Sequence, residues 1–309
     1  MVIKIEKLFT LFERLKMNEF EKAFKNGNLL KVKEIVSGFG AVDLGEALGC
    51  ASKYGNLEVV KYVVSVGADV HTRNDYPLRM AACYGHLEIV KYLISKGANV
   101  HATDDKTLQY ASAYGHLEVV EYLVSIGADV QAGKNKALNW ASKNGHLEVV
   151  KFLVNRGADV NALDDWSLCW ALDQDHLEVV KFLLNQGSNV QAAIDKAFRM
   201  ASQGGHLKIV KFLVSVGANV HAQDDWALRW ASFFGRLDIV KYLVNFFQDI
   251  PLDIIEYATV TIKDFLVKIN KQNKQRKEAF MDCMQQIEYN PYLERTKSEL
   301  ISSYVAIYQ

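Results

Sequence analysis

Five histidines, His86, His116, His146, His176 and His206, recur every 30 residues, each followed by a leucine. Imidazole is the commonest metal ligand, so the series raises metal chemistry first. The spacing argues against it. Equivalent places on packed helices lie about 8–10 Å apart, whereas zinc holds its ligands at about 2 Å. His71, His101 and His221 form a second series with the same separation problem. Four cysteines, Cys50, Cys83, Cys169 and Cys283, show no C-x-x-C spacing and no neighbouring histidine pattern. They read as reduced, mostly buried thiols of a cytosol-like compartment. The sequence contains no G-x-x-x-x-G-K-[ST], G-x-G-x-x-G, G-x-S-x-G or H-E-x-x-H, so no phosphate cradle, nucleophile elbow or zinc-hydrolase helix is expected. No catalytic residue, cofactor or metal is expected, and an enzyme is not.

The elements that carry these residues repeat. "YGNLEVVKYVVSVGADV" begins at Tyr54, and related segments begin at Tyr84, Tyr114, Asn144, Gln174, Gly204 and Phe234, each 30 residues after the last. A fixed period in this range signals a stacked array in which each unit packs only on its neighbours. Such an array escapes the limit of about 250–300 residues on a single core, which the chain exceeds at 309. Lys plus Arg equals Asp plus Glu at 36 each, so no global field draws nucleic acid or anionic lipid. The charged N-terminal "MVIKIEKLFTLFERLK" does not read as a signal peptide, and no uncharged apolar run approaches a membrane span of about 18 residues.

Within one unit, Leu78, Met80, Ala81 and Ala82 form a short apolar stretch that Gly85 ends. Leu87, Val90, Leu93 and Ile94 then line one face of a second helix, with Ile89 widening it. Glu88 and Lys91 fall on the opposite face, and Gly97 suits a left-handed cap. Each unit is thus helix, tight turn, helix, loop. Neither helix can bury its apolar face alone, so stacking is compulsory.

At these residues "TLQYASAYGHLEVVEYLVSIGADV" resembles an ankyrin repeat, with its "AA..GH", "VV..LL" and "GAD" signatures. The resemblance recurs seven times over residues 45–247 (45–74, 75–104, 105–134, 135–164, 165–194, 195–224, 225–247) and implies an all-α solenoid of stacked helix-turn-helix units. A degenerate capping unit at 20–36, with Lys31 and Glu34 in place of apolar residues, belongs to an N-terminal segment 1–44 that also carries a helix at 5–16. The period departs from the usual ankyrin value of about 33. The missing residues fall where a β-hairpin finger normally lies, and "HATDDKTL" or "HAQDDWAL" lacks its Asp-x-x-Gly turn. A shortened loop is expected there. The Thr-Pro-Leu-His start is eroded to Pro77 and Thr107, with Arg79, Gln109, Asn139, Cys169, Arg199 and Arg229 in the His place. This 30-residue variant resembles the ankyrin-repeat proteins encoded by giant DNA viruses. It implies a viral protein that engages a host partner in the host-cell cytoplasm.

The resemblance makes the five histidines turn residues that hydrogen-bond backbone. It also implies a protein-binding concave surface at the end of each first helix, where the units differ most: Cys83/Tyr84, Ala113/Tyr114, Lys143/Asn144, Asp173/Gln174, Gln203/Gly204 and Phe233/Phe234. Trp166 and Trp226 are expected in loops, partly exposed, as candidate anchors. Trp140, Trp170, Trp230 and Tyr110 share one position and are expected to pack between units. The partner-binding candidates are therefore Tyr84, Tyr114, Lys143, Asn144, Trp166, Asp173, Gln174, Gln203, Trp226, Phe233 and Phe234. Phe233 and Phe234 could alternatively pack under the tail. In the unit at 165–187, Asp175 replaces the turn glycine, which reads as a weak link. The tail, 248–309, reads as three helices capping the last repeat, with a solvated basic loop at 268–277. The expected function is a monomeric protein-interaction scaffold with no nucleic-acid or membrane partner. In the alternative, an adaptor, the tail recruits a second machine such as a ubiquitin ligase.

Overall fold

A computed structural model describes residues 19–37, 41–186, 190–288 and 301–302. The helix expected at 5–16, and all of the last expected tail helix (Leu300, Ile301, Tyr304 and Ile307) except the helical residues 301–302, fall outside these residues. Among the described residues every regular element is helical and no strand occurs. The chain divides into two compact units, Met1–Leu183 and Leu184–Gln309.

The first unit stacks six helical hairpins: α1 (19–25) with α2 (Leu29–Val36), α3 (Ala41–Tyr54) with α4 (Leu57–Ser65), α5 (Thr72–Cys83) with α6 (Leu87–Ser95), α7 (Ala102–Ala113) with α8 (Leu117–Ser125), α9 (Ala132–Lys143) with α10 (Leu147–Asn155), and α11 (Ala162–Asp173) with α12 (Leu177–Leu184). First helices pack closely on first helices. Ala51, Ala81, Ala111, Ala141 and Ala171 are fully buried along them and let the backbones approach. Second helices bury the expected stripe, for example Ile89, Val90 and Leu93 on α6. On their outer face Lys61, Lys91, Lys151 and Lys181 each pair with the glutamate three residues earlier at 2.7–2.8 Å.

Both helices of a hairpin end in the same way. The amide of His86 donates to Ala81 and that of Gly85 to Ala82, and the amide of Ala98 donates to Leu93 and that of Gly97 to Ile94. These crossed bonds occupy carbonyls that the helix leaves unpaired, and they demand positive φ at the glycine. Gly85 and Gly97 have φ of +76° and +98°. Asp175 adopts the same geometry at φ 59°, with its amide donating to Leu172.

The shortened inter-unit segment is neither hairpin nor open loop. Three consecutive residues, 73–75, 103–105, 133–135 and 223–225, take left-handed backbone before the helix turns right-handed again. Left-handed non-glycine residues cost about 1–2 kcal/mol each, less for Asp and Asn. Several contacts offset this. The Asp69 or Asn99 side chain accepts from the amide two residues on. His71 Nδ1 donates to Asp75 Oδ1 at 3.0 Å, and His101 to Asp105 likewise. Asp75 Oδ1 also accepts the Asn99 amide of the next turn at 2.9 Å, and Asn135 accepts that of Asp159 at the same distance. The residues in the eroded His place reach back: Arg79, Gln109, Asn139 and Arg229 donate to backbone carbonyls of the left-handed turn in their own unit.

The second unit holds α13 (Val190–Gly204) with α14 (Leu207–Ser215), α15 (Ala222–Phe233) with α16 (Leu237–Leu243), a 3-10 turn Val244–Phe246, then α17 (Leu252–Tyr257) and α18 (Val260–Glu288). Two tail expectations are corrected. The run at 268–277 is helix, not loop, because no glycine or proline interrupts residues 260–288 and Lys, Gln and Arg favour helix. The first two expected tail helices are instead divided at Ala258 and Thr259, and α18 then runs unbroken to Glu288. Ile254, Ile255, Ile262 and Leu266 are buried, and Asn270 both donates to and accepts from the Ile250 backbone at 2.9 Å. No helix among the described residues is long and apolar enough to cross a membrane.

Candidate functional site

The histidine series is a set of staples. His86, His116, His146 and His176 each direct Nε2 to a carbonyl 33 residues upstream, those of Lys53, Cys83, Ala113 and Lys143, at 2.9–3.0 Å. A carbonyl only accepts, so Nε2 carries the proton. Each acceptor lies at the C-terminal end of the neighbouring first helix, where carbonyls lack helical partners. Arg236 Nε replaces the imidazole for Gln203 at 2.9 Å. Burial, the largest influence, pushes the His146 pKa down, partly countered by its bond to Ala113. Among the described residues no group of three His, Cys, Asp or Glu could hold a metal.

With the imidazoles committed to structure, the open chemistry lies on the first helices. In the first unit Tyr84, Tyr114, Asn144, Asp173 and Gln174 sit exposed at their C-terminal ends. Tyr114 and Asn144 line one groove, and Asn144 Nδ2 donates to the Ala113 carbonyl. Tyr84 lies beside Lys53, whose ammonium stands 5.7 Å from the ring centre. Lys143 is half-buried, its ammonium held 5.1 Å from the Trp140 ring and 4.2 Å from that of Trp170. This lysine thus bridges adjacent first helices through cation–π contacts. Gln174 donates to Asp173 at 2.7 Å. Trp166 is 49% exposed.

Two expectations about aromatics are corrected. Trp166 and Trp226 lie on α11 and α15, not in loops, and before Trp226 the left-handed turn is so short that helix resumes at once. Trp226 is only half-exposed. Trp140 is not packed away between units but 43% exposed, lining a groove beside Lys143. Tyr110, Trp170 and Trp230 are half-buried.

In the second unit Trp226, Trp230, Phe233 and Phe234 form one aromatic cluster with ring centres 5.1–5.6 Å apart. Phe233 and Phe234 are 51% and 40% exposed, so the described part of the tail does not bury them. The Arg199 guanidinium stands 5.9 Å from the Trp226 ring. The Gln203 side chain is exposed and joins no described site residue. The candidates therefore fall into two groups, one in each compact unit.

Sequence reasoning missed three groove residues, Lys106, Gln109 and Lys136. They line a cavity of about 580 Å³ with Tyr110, Tyr114, Trp140 and Asn144. The available signal was a lysine with no carboxylate three or four residues away but an aromatic ring four residues on.

A family model for ankyrin repeats matches three times, at residues 20–104, 104–164 and 168–253. The matches cover well over half of the chain, which belongs to the ankyrin-repeat family. Members of this family typically act as non-enzymatic scaffolds for protein–protein interaction. No curated protein matches the sequence.

Proposed function

We propose that this chain is a non-enzymatic binding module that holds a protein partner against the face made by its first helices, the side that the family resemblance makes concave. The observation that carries the reading is the chemistry of that face. It exposes the large aromatic rings of Tyr84, Tyr114, Trp140, Trp166, Phe233 and Phe234, where the second helices expose self-paired Glu and Lys. Tyr84, Tyr114, Lys143, Asn144, Trp166, Asp173 and Gln174 serve the first unit, and Gln203, Trp226, Phe233 and Phe234 the second. Aromatic side chains bring large area at little entropic cost and dominate interface anchors. The seven 30-residue repeats of 45–247, the cap 1–44 and the tail 248–309 remain our assignment of the parts. The trimmed turns favour kinship with the giant-virus variant, and with it a host-cell cytoplasmic partner.

The tail is assigned as a cap rather than a recruiter. Arg229 pairs with Asp253, and the Thr259 amide donates to the Ser232 carbonyl at 3.2 Å. The Thr259 side chain stands beside Gly235, as the staple residue Arg236 stands beside Gly205. The test is quantitative capture from lysate with wild-type protein, a Y84A/Y114A/W166A/W226A variant and an outer-face E58K/E88K/E148K variant, each checked for helicity. Partners should be lost with the four alanines and retained with the outer-face changes. The opposite pattern overturns the assignment.

A further inference from the structure

The groove between α7 and α9 carries a pair of lysines among its aromatic walls. Lys106 and Lys136 stand 30 residues apart at equivalent places on the two helices, and both line the cavity. Tyr110, Tyr114 and Trp140 supply its apolar walls, while Gln109 and Asn144 supply amides. No carboxylate lines it. Among the described residues neither lysine makes an ion pair within 4.0 Å, although the Asp104 carboxylate and the Lys136 side chain both approach Gly133, each 3.0 Å from where its β-carbon would stand. On the second helices, by contrast, Lys61, Lys91, Lys151 and Lys181 each pair directly with a glutamate of the same helix. Two lysines without a direct ion pair thus face one aromatic groove, with one carboxylate at its edge.

We propose that this groove takes an acidic peptide segment of the partner, one that places an aromatic or aliphatic side chain between Tyr110 and Trp140 and carboxylates against Lys106 and Lys136. The inference rests on the binding-face reading and names the chemistry of its occupant. The cavity is of the size that buries a few side chains, since ligand pockets run about 300–1,000 Å³. Complementary charge guides encounter and sets register across such a contact. A nucleic-acid strand fits less well. Backbone recognition needs an extended stripe of cations, and two lysines on a neutral chain do not make one.

The test uses the full chain and a random peptide library displayed on phage, with a labelled oligothymidylate as a separate probe. Retained peptides should be rich in Asp and Glu around one aromatic or aliphatic residue. Their affinity should fall about tenfold or more in K106E/K136E and less in K106Q/K136Q, and should weaken with added salt. Both lysines are at least partly exposed, so each variant should keep wild-type helicity and thermal midpoint, measured alongside. Retained peptides without acidic bias, or acidic peptides indifferent to the lysine changes, overturn the inference and leave the binding face standing. Tighter binding of oligothymidylate than of any peptide overturns it in favour of nucleic acid. If no peptide of any charge is retained, both readings fall.

Discussion

Gly115 and His146 should behave as one unit although 31 residues separate them. A β-carbon on Gly115 would lie 2.4 Å from His146 Nδ1 and 2.7 Å from Cε1, at a backbone φ of +78°. Gly115→Ala therefore carries two penalties. Positive φ in a residue with a β-carbon costs about 1–2 kcal/mol. The imidazole must also swing away from the Ala113 carbonyl it holds at 3.0 Å. That costs about 1 kcal/mol, or up to about 3 kcal/mol if the carbonyl is left dry. The total is about 2–5 kcal/mol. His146→Ala alone should cost the second part only. In the double variant the clash no longer exists, so the glycine change should add only its backbone strain, about 1–2 kcal/mol. The cycle should thus be sub-additive by about 1–3 kcal/mol, the shared second part, well outside the usual scatter of about 0.3–0.5 kcal/mol for independent sites. Urea unfolding followed by far-ultraviolet circular dichroism measures it, with unchanged slopes required for all four proteins. Costs that simply sum would refute the shared-space reasoning, and with it the idea that the repeated glycines exist partly for the next unit's histidine.

His146 also sets a pH dependence. Its folded pKa is lowered, so the unfolded chain binds the proton more readily. Its contribution is then complete above the ordinary value of about 6.5 and is lost as pH falls through the folded value. His146→Gln, which keeps an amide donor, should flatten the fall in urea midpoint between neutral and mildly acidic pH; an unchanged profile would contradict the assignment. Asp75→Ala removes the acceptor of both His71 and the Asn99 amide and should cost about 2–3 kcal/mol. Asp75→Asn should cost under about 1 kcal/mol, because Asn135 already fills that role, and equal losses would break the equivalence. Asp175→Gly should gain about 0.5–1 kcal/mol by relieving left-handed strain. Amide exchange should show α11 and α12 less protected than α9 and α10 in the wild type and level with them in the variant; equal protection at the outset would show that this hairpin is no weak link.

The helical hairpins were legible because each rests on local, repeated chemistry. Leu87, Val90 and Leu93 fix a buried stripe, and Gly85 and Gly97 fix two stops. The histidines were legible as backbone partners, though not their reach into the preceding unit, since nothing local to His86 points to Lys53. The left-handed turns were not legible. Their signature normally lies in glycine, and "RND", "TDD" and "QDD" show none. What holds them is a set of contacts that one segment cannot reveal, from Asp69 or Asn99 behind, from Arg79 or Gln109 ahead, and from the next turn's amide. The groove lysines escaped for a related reason. Candidate positions on such a surface stand out by varying between units, whereas Lys106 and Lys136 are the same residue in two neighbours, and only the packing of α7 on α9 makes them one site. In a repeat protein, variation marks where a surface has been tuned, but recurrence of an unpaired charge marks a charge that the fold itself does not need.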